Sequence, residues 1–277
     1  MAETILSFEH VSKHYGSNEV LKDISFPLRQ GECIALTGLN GSGKTTALKL
    51  AAGLTRASSG KITAGKAARI QYIPESFPRL NFSARGILHS FGRIEGMDKA
   101  SLDQRIGDLL SSFHLSPEAG SPLRTYSKGM LQKVSVIQAF LSHADVLLLD
   151  EPLSGQDEAS QKTFLRLTKS LLSSGRAVLL ACHERHLVRA LADTVFELRQ
   201  GSLYAALVPP EDSEDIYLFD TPHEGFAMPP DIEGLSRMER GAGTVLVAVR
   251  HGTGGQMLRT LLDAGCSLRG MRHEKNR

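Results

Sequence analysis

Nine residues, Gly38-Leu39-Asn40-Gly41-Ser42-Gly43-Lys44-Thr45-Thr46, dictate the architecture around them. They follow the apolar run 33–37 and precede the helix-forming stretch 47–52, and the order strand, glycine-rich loop, helix is that of a phosphate-binding loop. The glycines let successive backbone N–H groups curl toward an anion together with the N-terminus of the following helix. Lys44 then reaches the outer phosphates, and the Thr45 hydroxyl is placed to ligate Mg2+. A loop of this kind binds a nucleoside triphosphate. A simple glycine turn beside a surface lysine would lack the flanking strand and helix.

A second element lies far downstream, where Val146-Leu147-Leu148-Leu149 runs into Asp150-Glu151-Pro152. Four consecutive apolar residues read as a strand buried on both faces, in a sheet covered by helices. Carboxylates at its end fall at the edge where open α/β sheets bind ligands, beside the phosphate loop of a neighbouring strand. Asp150 would hold Mg2+ through water, and Glu151 would accept a proton from the water that attacks the γ-phosphorus. Without the upstream loop, the pair would read as a solvated turn before Pro152.

At 277 residues the chain has room for one large core and a smaller second unit. A formal charge of +2 and the lack of a long basic run give no support to a broad nucleic-acid surface, and no nucleic-acid partner is expected. The three cysteines, Cys33, Cys182 and Cys266, are widely spaced and odd in number, which fits buried thiols in a reducing compartment rather than disulfides or metal ligands. No secretory segment is evident at the N-terminus, and no apolar run approaches about 18 residues. The expectation is a cytosolic chain that does not itself cross a membrane.

Apolar patterning predicts strands at 5–8, 23–26, 33–37 and 69–73, with turns at Gly16 and Gln30-Gly31. Between Pro74 and Val146 the pattern turns helical, at 83–93, 102–113 and 128–141, as an inserted unit spanning about 76–143. The α/β alternation then returns: a helix at 157–172, a strand at 177–180, a short helix after His183 and a strand at 194–198. This main domain should close at residue 206. Beyond it, Glu211, Asp212, Glu214 and Asp215 read as a solvated acidic linker. Strands at 216–219 and 244–249 and a helix at 256–264 then make a small α/β extension. Gly252, Gly254 and Gly255 lack a following Lys-Thr pair and read as a flexible turn.

One ordered set of motifs carries a family resemblance. It comprises the phosphate loop at 38–46, Tyr126-Ser127-Lys128-Gly129-Met130 followed by Leu131-Gln132-Lys133, the strand end at 147–151, Ser154-Gly155-Gln156-Asp157, and His183 after an apolar strand. Residues 2–206 resemble the ATP-binding subunits of ABC transporters, in the ABC-2-like variant common among bacterial exporters. The implied fold is a P-loop NTPase α/β domain of the ABC type with an inserted helical subdomain, residues 207–277 forming the linker and C-terminal extension. The implied cofactors are ATP and Mg2+.

The resemblance also assigns roles. Ser127 and the N–H of Gly129, with Lys128 between them, would face the γ-phosphate of ATP held by a second subunit. The same residues cap and start a helix whose apolar face is Met130, Val134, Ile137 and Leu141, and the two roles are compatible. His183 would bridge the γ-phosphate, Glu151 and the partner subunit, not bind metal. Asp157 would lie in the loop crossing the dimer interface, with Gln156 replacing the usual leucine. Tyr15 would stack on adenine, ordinary loop packing being its plainer reading. Glu75 stands where glutamine is usual and could accept from a Mg2+-bound water. Lys128 and Met130 replace the usual glycine and glutamine.

The function so implied is ATP-driven head-to-tail closure of two such subunits, identical or related. The work would pass through the surface at 75–93 to separate polytopic permease subunits, holding this chain peripherally at the cytoplasmic face of the membrane. A soluble ABC-type ATPase of translation or DNA maintenance is the other reading. Such relatives usually carry two ATPase units or a long coiled-coil insertion, and neither is present. A silent nucleotide-binding regulator is disfavoured because Lys44, Thr45, Asp150, Glu151 and His183 are all retained. The extension resembles, weakly, that of exporter-type subunits, where the implied role is subunit pairing or regulation.

Overall fold

The computed structural model describes residues 2–207, 213–223, 226–228, 235–241, 243–250 and 254–275. Its elements run β1 (Thr4–Tyr15), β2 (Asn18–Arg29), β3 (Cys33–Thr37), α1 (Lys44–Ala51), β4 (Ser59–Ala64), β5 (Ile70–Ile73), α2 (Ala84–Ile94), α3 (Lys99–Ser112), α4 (Lys128–Leu141) and β6 (Val146–Asp150). There follow α5 (Glu158–Ser173), β7 (Ala177–Ala181), α6 (Arg185–Leu191), β8 (Thr194–Arg199), β9 (Ser202–Ala206), β10 (Ser213–Asp220), β11 (Leu235–Gly241), β12 (Thr244–Arg250), α7 (Gly254–Asp263) and β13 (Ser267–Lys275). The chain divides into two units, Met1–Ala206 and Leu207–Arg277.

In the first unit the continuous apolar runs form the centre of a sheet ordered β5-β6-β7-β3-β8-β9. β5 through β8 are parallel and β9 pairs antiparallel on the edge. Every residue of β6 and β7 is buried, as strands covered on both faces require. The order corrects one expectation: β6 is not beside the phosphate-loop strand β3, because β7 lies between them. The two ends still meet because α1, leaving the loop, packs across β6 and β7. A second, antiparallel sheet, β2-β1-β4, shares the core, with Phe8 and Phe26 stacked at 4.6 Å beside Leu36, Leu48 and Leu148.

The inserted helices begin where short polar side chains satisfy the first free amides. Ser83, Asp98 and Ser127 cap α2, α3 and α4 by accepting from the N–H groups of Gly86, Ser101 and Met130. Asp157 caps α5 in the same way through Ser160. Tyr126, just before α4, is buried and donates its hydroxyl to the Glu118 carbonyl, anchoring the start of that helix.

The second unit is a sheet ordered β11-β12-β10-β13 under α7, with a core of Tyr217, Phe219, Val245, Val247, Met257 and Leu261. Two expectations are corrected here. Glu214 and Asp215 belong to β10 rather than to a solvated linker, and Asp215 is buried; Glu211 and Asp212 lie outside the described residues. Gly254 and Gly255 open α7 instead of forming a turn. Gly254 is tolerated there because a Cβ would overlap the Tyr217 ring, so the glycine lets strand and helix approach; Gly252 lies outside the described residues. The three cysteines are buried free thiols. Among the described residues no helix is long and apolar enough to cross a membrane.

Candidate functional site

The loop from β3 to α1 needs its glycines for conformation and for space. Gly38, Gly41 and Gly43 have φ of 131°, 81° and 111°, a region that side chains disfavour. A Cβ on Gly43 would stand 2.8 Å from Leu21 Cδ2 and 3.0 Å from the Val20 carbonyl oxygen. Leu39, Asn40 and Gly41 are exposed at the tip, and Thr46 is half-buried on the first turn of α1. Lys44 is buried, and its ammonium group donates to the carbonyls of Gly38 at 2.7 Å and Leu39 at 3.3 Å, holding it inside the curl of the loop. The Ser42 hydroxyl oxygen is buried without a hydrogen-bond partner among the described residues, as expected of a group whose partner is a ligand.

Thr45 donates its hydroxyl to Asp150 Oδ1 at 3.2 Å, joining the first turn of α1 to the end of β6. A hydroxyl and a carboxylate offer hard oxygen donors, the chemistry that suits Mg2+. Together with the unpartnered Ser42 hydroxyl, these residues fit a metal–nucleotide complex. Asp150 is buried, and that burial raises its pKa against the opposing pull of the Thr45 and Tyr72 hydroxyls and Lys44.

Glu151 follows at a sharp backbone turn, φ 47°, with its N–H donated to the Ala181 carbonyl at 2.8 Å. This reversal gives the two adjacent carboxylates separate surroundings. Glu151 Oε2 is 2.8 Å from His183 Nδ1, and Oε1 is 4.0 Å from Lys44 Nζ. Burial raises the Glu151 pKa, while His183 and Lys44 pull it down. His183 lies just beyond β7 with its side chain 66% exposed, Nδ1 held by Glu151 and Nε2 4.0 Å from Glu184 Oε1.

Around α4, Ser127 and Lys128 are exposed at the helix start. A Cβ on Gly129 would fall well inside van der Waals contact of the Gly155 carbonyl oxygen, so the two motifs carrying these glycines touch backbone to backbone. Lys128 Nζ pairs with Glu75 Oε1 at 3.1 Å, which joins two of the positions that depart from the family's usual residues. Glu75 is close enough to Asp150 to push its pKa up further. Asp157 pairs with the buried ammonium of Lys133, and this bond is the largest cause of its strongly lowered pKa. Tyr15 is exposed at the end of β1, with Lys13 Nζ 4.7 Å from its ring centroid. Gln156 is buried, donating to the Pro152 carbonyl at 2.7 Å.

Sequence reading assigned no role to Tyr72, Gln132 or Lys133. Tyr72 donates to Asp150 Oδ2 at 3.0 Å, and Gln132 Nε2 donates to the Glu151 carbonyl at 3.3 Å. A usable signal existed for Gln132 and Lys133, which are polar residues one turn inside a helix where the next turns are buried and apolar.

The ABC transporter family profile matches residues 21–154. The Nod factor export ATP-binding protein I of Ralstonia nicotianae is 32% identical over 219 residues, 75% of this chain and 68% of its own length. An uncharacterized ABC transporter ATP-binding protein of Bacillus subtilis, YdbJ, is 34% identical over 219 residues, 74% of this chain and 70% of its own. Among solved structures, an ATP-binding subunit of an ABC transporter superposes with a TM-score of 0.68 at 28% identity, covering 74% of this chain and 90% of that one. A dimeric, post-hydrolysis ATP-binding cassette bound to ADP and Pi shares the fold, with a TM-score of 0.67 at 18% identity over 74% of this chain and all of that one. This chain belongs to the ABC transporter family as an ATP-binding, ATP-hydrolysing subunit.

Proposed function

We propose that this subunit drives export through separate polytopic permease subunits, working at the cytoplasmic face of the membrane as one half of a head-to-tail ATPase dimer. The observation that carries the reading is that Lys44, Thr45, Asp150, Glu151 and His183 converge just beyond the C-terminal ends of the central strands β3, β6 and β7, while Ser127, Lys128 and the outer side of His183 stay exposed. One chain thus holds a hydrolytic half-site and offers a separate phosphate-sensing half-site. Relatives named for Nod factor export support the direction of transport; the cargo belongs to the permease. The dimer partner is a second copy or a related ATPase.

In this reading Lys44 and the loop N–H groups bind the phosphates, and Tyr15 stacks on the adenine. Thr45 and Asp150 would hold Mg2+, with Glu75 reaching it through water, and the ion supplies charge neutralisation on the phosphate oxygens when bound. Glu151 takes a proton from the attacking water as the oxygen joins the γ-phosphorus and the bond to the β-phosphate oxygen breaks, releasing ADP and Pi. His183 holds that carboxylate and turns its exposed side toward the γ-phosphate and the partner subunit. Ser127, Lys128 and Gly129 meet the nucleotide of the opposing subunit, and Asp157 lies in the loop between the two.

The test is to co-express the chain with candidate polytopic permease subunits and measure ATPase activity and membrane association. Partner-stimulated activity and flotation with membranes are expected, and neither should occur with the chain alone. A chain that is fully active and stays off membranes whatever it is expressed with would favour the soluble reading.

Two further results are expected in that assay. Glu75→Ala should lower partner-stimulated ATPase several-fold with nucleotide binding largely intact, and Glu75→Gln should retain more, since an amide oxygen still accepts from water and from Lys128. Equal stimulation of all three proteins would remove Glu75 from coupling. The second concerns pH. Glu151 accepts a proton only when ionised, and burial raises its pKa. The acid limb of kcat should therefore lie above the ordinary glutamate range, with activity rising as pH increases through it. Because His183 pulls that pKa down, His183→Ala should move the limb to higher pH, which single-turnover rates across pH would reveal.

A further inference from the structure

Asp150 is held from two sides. Its Oδ1 accepts from the Thr45 hydroxyl on α1 at 3.2 Å, and its Oδ2 accepts from the Tyr72 hydroxyl on β5 at 3.0 Å. Tyr72 is set there by strand pairing: β5 runs parallel to β6 with Tyr72 opposite Leu148 and Ile73 opposite Leu149, so its ring lies alongside the last residues of β6. That ring packs against the main core, and the hydroxyl extends from it to the carboxylate.

A carboxylate at a strand end turns about two side-chain bonds. One donor leaves the second oxygen free to swing, whereas two donors from different elements fix the plane of the group. Buried metal ligands depend on such outer partners for their orientation. We propose that Tyr72 is a positioning residue for the ATPase reaction, its hydroxyl fixing the Asp150 carboxylate so that the other oxygen faces Thr45 and the divalent cation the two would share. This rests on the reading of Thr45 and Asp150 as the cation-holding pair.

Tyr72→Phe keeps the ring and its packing and removes only the donor. The measurement is the Mg2+ concentration giving half-maximal binding of a fluorescent ATP analogue to the full chain, with EDTA defining the metal-free limit and ATPase followed across the same titration. The expected result is a roughly tenfold rise in the half-maximal Mg2+ concentration. Metal-free affinity and melting temperature should match the parent, and kcat should recover toward the parental value at saturating Mg2+. An unchanged Mg2+ midpoint, or a kcat loss that saturating Mg2+ does not relieve, overturns the proposal. Asp150→Asn separates the two layers of the argument. If it keeps the parental Mg2+ response, the cation-holding reading and the Tyr72 proposal fall together. If it loses that response while Tyr72→Phe keeps it, only the Tyr72 proposal falls.

Discussion

Glu151→Gln should lower ATP turnover by about 10²–10⁴-fold, the range that a general base contributes, while nucleotide binding survives and a closed dimer accumulates. The amide has the shape of the carboxylate and can still bond the His183 ring, so the 2.8 Å contact with Nδ1 and the backbone turn at φ 47° need not change. What is lost is the proton acceptor. The phosphate loop keeps Lys44 and its N–H groups, which supply most of the attraction for the triphosphate. Closure requires only that the ligand contact both subunits more strongly in the closed state, and an enzyme that binds but does not hydrolyse stays in that state. Size analysis with and without ATP at high protein concentration, repeated with the permease present, checks this. A variant that turns over at the parental rate, or that stays monomeric with ATP under both conditions, counts against Glu151 as the base.

How much of this site is readable in the sequence depends on where each residue sits in its sheet. The phosphate loop, Asp150 and Glu151 stand out because they end strands whose burial on both faces forces unbroken apolar runs, 33–36 and 146–149. The strands that pattern does not reveal, β4, β9, β11 and β13, are all sheet edges. β11 is exposed along its whole length and carries Arg237, Glu239 and Arg240, residues that protect an edge from further pairing and erase the apolar signal. Strand order is a different limitation. Local pattern cannot tell that β7 stands between β3 and β6, because the order of parallel strands is set by crossovers. The Tyr72–Asp150 bond and the Glu75–Lys128 pair join residues 78 and 53 positions apart, through contacts that only the folded chain creates. The Glu75–Lys128 pair still has a sequence trace, since both positions depart from the family pattern and carry opposite charges.

Gly129→Ala should be the second most damaging change, and it reverses the usual rule for helices. Replacing glycine by alanine inside a helix ordinarily stabilises it by about 1 kcal/mol. Gly129 lies in the first turn of α4, but a Cβ there overlaps the Gly155 carbonyl oxygen. That obstacle is backbone, so it cannot rotate away as a side-chain tip would. Either α4 tilts or the Ser154–Asp157 segment shifts, at a cost of about 1–3 kcal/mol, or roughly 2–12 °C in melting temperature for a unit of this size. Either movement displaces the helix start that presents Ser127 or the loop that carries Asp157, whose pairing with Lys133 ties it back to the same helix. ATPase activity should fall at least about tenfold, in proportion to the misplacement of groups that must meet the second nucleotide. Affinity for nucleotide at the phosphate loop should stay close to parental, because neither Lys44 nor Thr45 touches this contact. Lys128→Ala, one residue earlier and exposed, is the matched control and should leave melting unchanged. Calorimetry, nucleotide titration and ATPase assays on the three proteins decide the matter. A Gly129→Ala protein that melts above the parent and keeps its turnover would show that the close approach to Gly155 is not what requires glycine here.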